Sequence, residues 1–290
     1  MLSKIYTVLR SEGVDGVVHA ARRAISPPRA RCLELCQELI RGKRGLEVGG
    51  PSGVFRAKGL LPIYPVVSAL DNCNFAHRTT WEGVIATGQS FRFAVDRAAG
   101  RQYVSETTDL SEILSGTYDF LLSSHVIEHT ANPVQALGEW MRVLGSGGIL
   151  VVLVPHRDGT FDHRRPVTAL EHLFEDFERR TQEDDLTHLD EILRLHDLRK
   201  DPAAGTAEQF RIRSEKNLEH RCLHHHVFDT RLVIRLLDRL GLQILAAEAA
   251  RPNHILAIAR KPGAHAADNR HFLADGAPWQ AGSPFASDRS

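Results

Sequence analysis

The segment from Tyr118 to Pro155 constrains the fold more than any other part of this 290-residue sequence. The short apolar run Tyr118–Ser123 indicates a buried strand, and an Asn-Pro pair beginning at Asn132 is typical of a helix start, with proline at the first helical position. A pair of glycines then leads into six consecutive apolar residues, Ile149–Val154, which indicate a central strand of a parallel sheet. A strand, a helix and a second strand in this order predict a βαβ unit.

Further strand and helix signals lie on both sides of this unit. Apolar residues at helical spacing indicate one helix after Pro28 and another that Asp229 can cap. The remaining candidate strands lie at residues 44–48, 66–70, 101–105, 243–247 and 254–259. Strands that alternate with helices predict an α/β fold, in which a mostly parallel sheet is covered on both faces.

The chain divides into three parts by composition. Residues 1–27 have mixed charges and lead into a Pro-Pro pair, which indicates an N-terminal helix and linker. Residues 28–261 hold the α/β pattern, except for residues 156–221, which we interpret as a helical insertion, or lid, over the ligand-binding edge of the sheet. A capping-box spacing predicts that the first helix of the insertion begins at Thr168. Residues 262–290, rich in Ala, Gly, Ser and Asp, are expected to be disordered.

The charge balance limits the function classes. Lys plus Arg and Asp plus Glu each number 36, so the formal net charge is zero, which argues against a dedicated nucleic-acid binder. No apolar run approaches the roughly 20 residues that cross a bilayer, and the N-terminal region lacks the apolar stretch of a signal peptide. We therefore expect a cytoplasmic protein without a transmembrane segment.

The loop after the first strand has the pattern E-x-G-x-P-x-G, from Glu47 to Gly53. Glycines let the backbone approach a ligand closely and adopt conformations that other residues resist. The dinucleotide-binding fingerprint G-x-G-x-x-G is not met, because Pro51 and Val54 stand at its second and third glycine positions. The pattern therefore fits either a cofactor-binding loop or a structural turn.

Acidic residues follow the next two candidate strands. Asp71 stands where a carboxylate can accept hydrogen bonds from ribose hydroxyls, with Asn72 and Asn74 as alternatives. Asp109 follows the third strand, where a carboxylate can receive an adenine amino group. Because the carboxyl ends of parallel strands meet at one edge of a sheet, these side chains are expected at one binding site.

The stretch HVIEHTANPVQALGEWMRVLGSGGILVVLVP, residues 125–155, resembles the class I S-adenosylmethionine-dependent methyltransferases, particularly the methyltransferase type 11 group. The resemblance covers residues 33–154 and returns at residues 224–261. It implies a Rossmann-like sheet of seven mostly parallel strands with helices on both faces, a His-rich helical insertion after the fifth strand, and S-adenosylmethionine as cofactor. The cofactor-binding residues that it implies are Glu47, Gly49, Gly50 and Gly53 in the loop, Asp71 at the ribose, Asp109 and Leu110 at the adenine, and Ser124 and His125 after the strand at 118–123.

Some residues depart from this pattern or have a less specific role. Pro51 stands where most members of the family have a glycine, and because proline fixes φ near about −65° and has no N–H, the loop is expected to be stiff. The pair Glu128-His129 is common in the family, and we interpret it as support for the strand end. Trp81 fits a pocket wall and a packed loop anchor equally well.

The insertion is rich in histidine, since nine of the 16 histidines lie between His156 and His226. His156 and His163, which follow the central strand, are expected beside the reactive methyl group, and we predict that they supply a general base with Asp158 or Asp162 as the orienting carboxylate. The neighbouring arginines fit either an anion clamp or solvated charges on a lid, and these are Arg157, Arg164 and Arg165. No HExxH or CxxC spacing occurs, so no metal ligand is predicted.

Together these features predict a methyltransferase that transfers a methyl group from S-adenosylmethionine to an oxygen of a small-molecule or glycan acceptor. Two other classes remain open. One is a non-catalytic module that binds S-adenosylmethionine, and the other is a metal-dependent hydrolase that uses the histidines and aspartates of the insertion.

Overall fold

The structure is a computed structural model that describes residues 28–263 and 266–289. The predicted N-terminal helix and linker, residues 1–27, lie outside the described residues.

The strands of the described residues form one large sheet and one short ribbon. In chain order they are β1 (Arg44–Val48), β2 (Ala69–Asn74), β3 (Arg78–Thr79), β4 (Gly83–Val84), β5 (Gly88–Phe91), β6 (Gly100–Val104), β7 (Tyr118–Ser124), β8 (Leu144–Pro155), β9 (Gln243–Ala250) and β10 (His254–Arg260). The large sheet has the order β5-β6-β2-β1-β7-β8-β10-β9, and β3 pairs with β4. Strands β6, β2, β1, β7 and β8 are parallel, whereas β5, β10 and β9 run antiparallel to their neighbours.

The mostly parallel sheet confirms the predicted α/β fold class, with eight strands rather than seven. The additional strand is β5, which lies at the edge of the sheet and has the sequence GQSF. Three of its four residues are exposed. A strand this short and polar has no apolar alternation that sequence reasoning could detect.

The helices of the described residues precede β1, join β7 to β8, form the insertion, precede β9 and follow β10, whereas no α-helix lies between β1 and β7. In chain order they are α1 (Leu33–Ile40), α2 (Pro133–Val143), α3 (Leu170–Arg179), α4 (Leu189–Leu195), α5 (Ala207–Glu215), α6 (Asn217–His220), α7 (Thr230–Arg239), α8 (Arg270–Leu273) and α9 (Pro278–Ala281). No helix among the described residues is long and apolar enough to cross a membrane.

Helix α2 begins where the sequence predicts. The side chain of Asn132 accepts a hydrogen bond from the Gln135 amide at 3.0 Å, which caps the helix, and Pro133 occupies its first turn. Trp140 is fully buried on the inner face of α2, and its indole donates a 2.7 Å hydrogen bond to the Thr107 hydroxyl. This bond joins α2 to the loop after β6.

Two apolar cores cover the two faces of the sheet, and β8 contributes to both. Its side chains alternate, so that Leu150 and Val152 pack in the core formed with α2 and α7, whereas Val151 and Leu153 pack in the core formed with α1. This two-sided burial explains the unbroken apolar run in the sequence.

The first helix of the insertion begins later than predicted. Helix α3 starts at Leu170, and its N-cap residue Ala169 makes no side-chain hydrogen bond. The hydroxyl of Thr168 instead accepts a hydrogen bond from the Val227 amide at 2.9 Å. Thr168 therefore joins the two ends of the insertion rather than capping the helix.

The C-terminal residues differ from the predicted disorder. Within residues 266–289 the chain forms α8 and α9, and Trp279, Phe285 and Asp288 are buried. The Asp288 carboxylate accepts hydrogen bonds from the hydroxyls of Thr230 and Ser283, each at 2.7 Å. Composition alone does not predict the order of this segment, because a few buried contacts rather than a periodic apolar pattern fix it against the rest of the protein.

Candidate active site

A cavity of about 550 Å³ opens at the carboxyl ends of the parallel strands. Strand β1 has β2 on one side and β7 on the other, so the connections leave β1 and β7 in opposite directions and create a crevice between them. Ligands bind at such positions in open α/β sheets. The loop after β1, the residues after β2, β6 and β7, and parts of the insertion line this cavity.

The loop after β1 requires glycine at two positions. Gly49 and Gly50 have φ values of 88° and 61°, which other residues rarely adopt. A Cβ atom on Gly49 would lie 2.6 Å from Val126 Cγ2, and a Cβ on Gly50 would lie 2.3 Å from the Glu47 carboxyl carbon. The backbone at this point therefore passes close to both the strand end and the Glu47 side chain.

Glu47 supports the loop from beneath. It is fully buried, accepts a hydrogen bond from the Ser52 amide at 3.0 Å, and accepts a second from the Tyr64 hydroxyl at 2.7 Å. Burial raises the pKa of the Glu47 carboxyl, although these two donors act in the opposite direction. Its carboxylate does not line the cavity, so Glu47 positions the loop residues that do.

Five of the predicted cofactor-binding residues line the cavity: Gly49, Gly50, Gly53, Ser124 and His125. His125 has a φ of 56°, and its Nε2 lies 2.9 Å from Nδ1 of His254. Burial, followed by the neighbouring His254 and His224, lowers the pKa of His125 to about 3. His125 is therefore neutral at physiological pH.

The predicted ribose acid lies elsewhere. Asp71 stands in the middle of β2, where its carboxylate accepts hydrogen bonds from the Arg44 guanidinium at 2.6 Å and from the Tyr118 hydroxyl at 2.8 Å. It does not line the cavity. The strand continues three residues beyond Asp71, so the residue at its end that faces the cavity is Asn74, one of the two alternatives.

The predicted adenine pair is also displaced. Asp109 is exposed and its carboxylate accepts from the Ser111 amide, whereas Leu110 is buried in the core. Neither residue lines the cavity; Ser105, Glu106 and Thr107, which directly follow β6, do so. The cavity-lining positions therefore lie closer to the end of β6 than the predicted pair does.

The three predicted catalytic residues do not line the cavity. His156 is fully buried, stacks on Phe285 at a ring distance of 4.0 Å, and lies with Nε2 3.1 Å from Asp288. The Asp158 carboxylate accepts from the amide and hydroxyl of Ser287 at 3.1 and 2.9 Å. The His156 and Asp158 side chains therefore hold the C-terminal segment.

His163 and the predicted anion clamp serve the insertion itself. His163 Nε2 lies 3.1 Å from Asp197 Oδ2, away from the cavity lining. Arg164 also contacts Asp197, and Arg165 is buried between Asp162 and the carbonyl oxygen of His224. Arg157 contacts Asp158 at 3.9 Å. No arginine of this group lines the cavity, which favours the second of the two roles considered for them, charges on the insertion.

The cavity contains a cluster of Glu128, His129 and His224 that the sequence analysis did not assign to the site. One ligand-type atom from each residue lies within 4.8 Å of the corresponding atoms of the other two. Glu128 and His129 belong to a 3-10 helix after β7, and His224 follows α6 at the far end of the insertion. Only the fold brings them together, although the H-x-x-E-H pattern after a strand was a signal for the first two.

The electrostatics of the cluster are dominated by burial and by Asp162. Burial raises the pKa of Glu128 to about 7. Burial also lowers the pKa of His129 well below its ordinary value, and His224 adds to this effect. For His224, burial alone would lower the pKa, but the hydrogen-bonded Asp162 carboxylate and the nearby Glu128 outweigh it, so its pKa is raised.

Aromatic and charged side chains complete the cavity next to this cluster. Trp81, 55% exposed, has its ring 5.4 Å from that of His129, and the Phe161 ring lies 4.6 Å from that of His224. Trp81 therefore forms part of the cavity wall rather than a packed anchor of its loop. Arg221 also lines the cavity, but its charge is shared between the carboxylates of Glu106 and Glu183.

The comparisons with known proteins identify a family. Residues 17–247 match the family described as "Methyltransferase domain", which confirms the resemblance seen in residues 125–155. A search of curated proteins finds no match. Among solved structures, the protein is similar to a putative methyltransferase from Bacillus halodurans C-125, with 12% identity, a TM-score of 0.46, and coverage of 80% of this chain and 99% of that chain. It is also similar to an S-adenosylmethionine-dependent methyltransferase from Mesorhizobium loti, with 16% identity, a TM-score of 0.45, and coverage of 83% and 96%.

Proposed function

The chain belongs to the methyltransferase domain family, and from this premise we propose that it is an S-adenosylmethionine-dependent methyltransferase that methylates an oxygen of a small-molecule or sugar acceptor. One observation carries the proposal: the glycine loop and the Glu128–His129–His224 cluster line the same cavity. The loop suits a cofactor, and the cluster suits the removal of a proton from an acceptor.

The residues near the loop fit the cofactor. The backbone of Gly49 and Gly50 approaches the cavity without side chains in the way. Asn74 Nδ2 donates to Asn72 Oδ1 at 2.7 Å, which leaves the side-chain oxygen Asn74 Oδ1 to accept from a ribose hydroxyl. The cavity volume of about 550 Å³ lies within the range of ligand sites. When bound, S-adenosylmethionine supplies an electrophilic methyl group on a sulfonium.

The other residues of the cavity fit the acceptor. The exposed Trp81 ring offers an aromatic face on which a sugar ring or a planar small molecule can lie, and Phe161 adds an apolar wall. A hydroxyl acceptor must lose its proton during methyl transfer, and a well-placed group that assists this step contributes about 10²–10⁴-fold. Among the lining residues, Glu128, His129 and His224 form the cluster that can assist, in place of the predicted His156 and His163.

The test is binding of S-adenosylhomocysteine, measured by calorimetry on the full chain and on Gly50→Ala. The added methyl group has no room beside the Glu47 carboxylate, so we expect the affinity to fall by at least about tenfold, or about 1.4 kcal/mol. Gly241→Ala is the matched control, because Gly241 also has a positive φ, 77°, but has open space around it and does not line the cavity. Equal affinity in both variants, or no binding by the unmodified chain, would contradict the proposal.

A further inference from the structure

We propose that Glu128, His129 and His224 hold a divalent transition-metal ion at the wall of the cavity. Each residue offers one ligand atom, and these atoms lie within 4.8 Å of one another. Two imidazoles and one carboxylate form a ligand set that Zn²⁺, Mn²⁺ or Fe²⁺ accepts, whereas Mg²⁺ and Ca²⁺ prefer oxygen ligands.

The hydrogen bonds of the two histidines determine which ring nitrogen keeps a free lone pair. His129 Nδ1 lies 2.9 Å from the Leu223 carbonyl oxygen, which can only accept, so Nδ1 carries the proton and Nε2 keeps its lone pair. His129 Nε2 lies 3.8 Å from Glu128 Oε1. His224 Nδ1 is bonded to the Asp162 carboxylate in the same way, so Nε2 is the nitrogen that remains for a ligand.

These two arrangements are the ones that metal-binding histidines show. A histidine ligand usually donates its second N–H to a carboxylate or a backbone carbonyl, which fixes the tautomer and the ring orientation. Asp162 is itself held by Arg165, whose Nη1 donates to Asp162 Oδ1 at 3.1 Å. The outer hydrogen bonds of the site are thus complete on both histidines.

Glu128 supplies the strongest independent indication of a ligand. Its side chain is fully buried, and neither carboxylate oxygen has a hydrogen-bond partner among the described residues. The nearest imidazole nitrogens lie 3.6 Å away on His125 and 3.8 Å away on His129. A buried carboxylate without a partner is costly, and a cation at the cluster would remove that cost.

A second histidine cluster serves as an internal contrast. His172, His188 and His226 also place ligand-type atoms within 4.8 Å of one another. However, His172 Nε2 and His188 Nε2 are hydrogen-bonded to each other at 3.0 Å, so one of these two nitrogens is protonated and its partner's lone pair is already used. None of the three residues lines the cavity.

The position of the ion gives it a role in the proposed reaction. A cation held by three protein ligands keeps coordination positions open, and a hydroxyl bound there loses its proton more readily. The role in acceptor activation rests on the proposed function. Binding of the ion does not, and it can be measured without any acceptor.

The experiment uses the full chain, stripped with a chelator and titrated calorimetrically with Mn²⁺ alone. We expect one equivalent of Mn²⁺ to bind. Glu128→Gln should weaken this binding by at least about 100-fold, because losing a direct ligand costs more than losing the hydrogen-bond partner of a ligand, which typically costs about 10–100-fold. His188→Gln is the matched control, because it alters the second cluster, and it should bind Mn²⁺ like the unmodified chain. Electron paramagnetic resonance of bound Mn²⁺ reports the same site spectroscopically.

Affinity for S-adenosylhomocysteine, measured on each variant, separates the two proposals. Failure to bind Mn²⁺ by a chain that binds S-adenosylhomocysteine overturns the metal site and leaves the proposed function standing. Tight Mn²⁺ binding without S-adenosylhomocysteine binding overturns the proposed function alone. Mn²⁺ binding that survives Glu128→Gln but is lost in His188→Gln also overturns the assignment, since it places the ion at the second cluster. If Glu128→Gln does not fold, His129→Gln is titrated in its place, and unchanged binding there overturns the site.

Discussion

His224 and His226 are two residues apart and both are buried, yet their surroundings differ. His224 donates to the Asp162 carboxylate, faces the cavity and has a raised pKa. His226 Nε2 lies 3.3 Å from the Ala131 carbonyl oxygen, and burial lowers its pKa well below the ordinary value. The nearest Asp176 oxygen is 3.7 Å from that nitrogen, beyond hydrogen-bond distance.

This difference separates a histidine that lines the cavity from one that packs inside the same segment. Burial penalises the charged imidazole at both positions, and only a carboxylate at hydrogen-bond distance outweighs it. His224 also lines the cavity, so its second ring nitrogen, Nε2, is accessible to a ligand. A high density of histidine in the sequence is therefore compatible with both roles.

Within this comparison, the largest expected effect on ligand binding comes from removing the carboxylate that distinguishes His224. Asp162→Asn takes away the charge that orients this imidazole, so we expect Mn²⁺ affinity and methyl transfer to fall about 10–100-fold. Calorimetry and the production of S-adenosylhomocysteine measure these two quantities. Asp176→Asn is the matched control near His226, and it should change neither. Similar losses in both variants would show that the two histidines are not distinguished by their carboxylates.

On the other side of the comparison the expected effect on ligand binding is smaller, and the loss falls on stability instead. His226→Ala leaves a void beside α3, so we expect the free energy of unfolding to fall by about 2–5 kcal/mol, the range for large-to-small changes in a core. Urea denaturation measures this loss. Affinity for S-adenosylhomocysteine and for Mn²⁺ should remain within about twofold, or about 0.4 kcal/mol. A selective loss of binding with unchanged stability would instead make His226 part of the site.

The same contrast explains how much of the site the sequence could predict. The sheet, helix α2 and the glycine loop follow from local patterns, namely apolar runs, the Asn132 cap and the positive φ at Gly49 and Gly50. The cofactor end of the cavity is built from such local features. Asp71 lies away from the cavity because β2 continues for three more positions, two of which are asparagines that give no apolar signal.

The proposed acceptor end, around Glu128, His129 and His224, could not be predicted in this way. His224 reaches Glu128 and His129 only after the whole insertion has folded back, with the His225 amide bonded to the Glu128 carbonyl oxygen at 2.8 Å. Proximity in sequence to the central strand favoured His156, whose Nε2 instead meets Asp288 near the C-terminus. Contacts between residues far apart in sequence leave no periodic signal.

The smallest expected effect concerns the buried pair of His156 and Asp288, neither of which lines the cavity. Burial would raise the pKa of Asp288, but hydrogen bonds from His156, Ser283 and Thr230 lower it below its ordinary value of 3.8. Because the unfolded chain then binds the proton more readily, the stability that Asp288 contributes is present above about pH 4 and is lost as the pH falls through its folded-state pKa. Asp288→Asn should reduce stability at neutral pH by about 1–3 kcal/mol, the cost of weakening buried hydrogen bonds.

Urea denaturation between pH 3 and pH 7 tests this expectation on the unmodified chain and on Asp288→Asn. The stability difference between the two should shrink as the pH falls below about 4, since protonation removes the charge from Asp288 in the unmodified chain. S-adenosylhomocysteine binding at neutral pH should persist in Asp288→Asn, because Asp288 does not line the cavity. A difference that stays constant down to pH 3 would mean that the Asp288 charge does not stabilise the C-terminal segment.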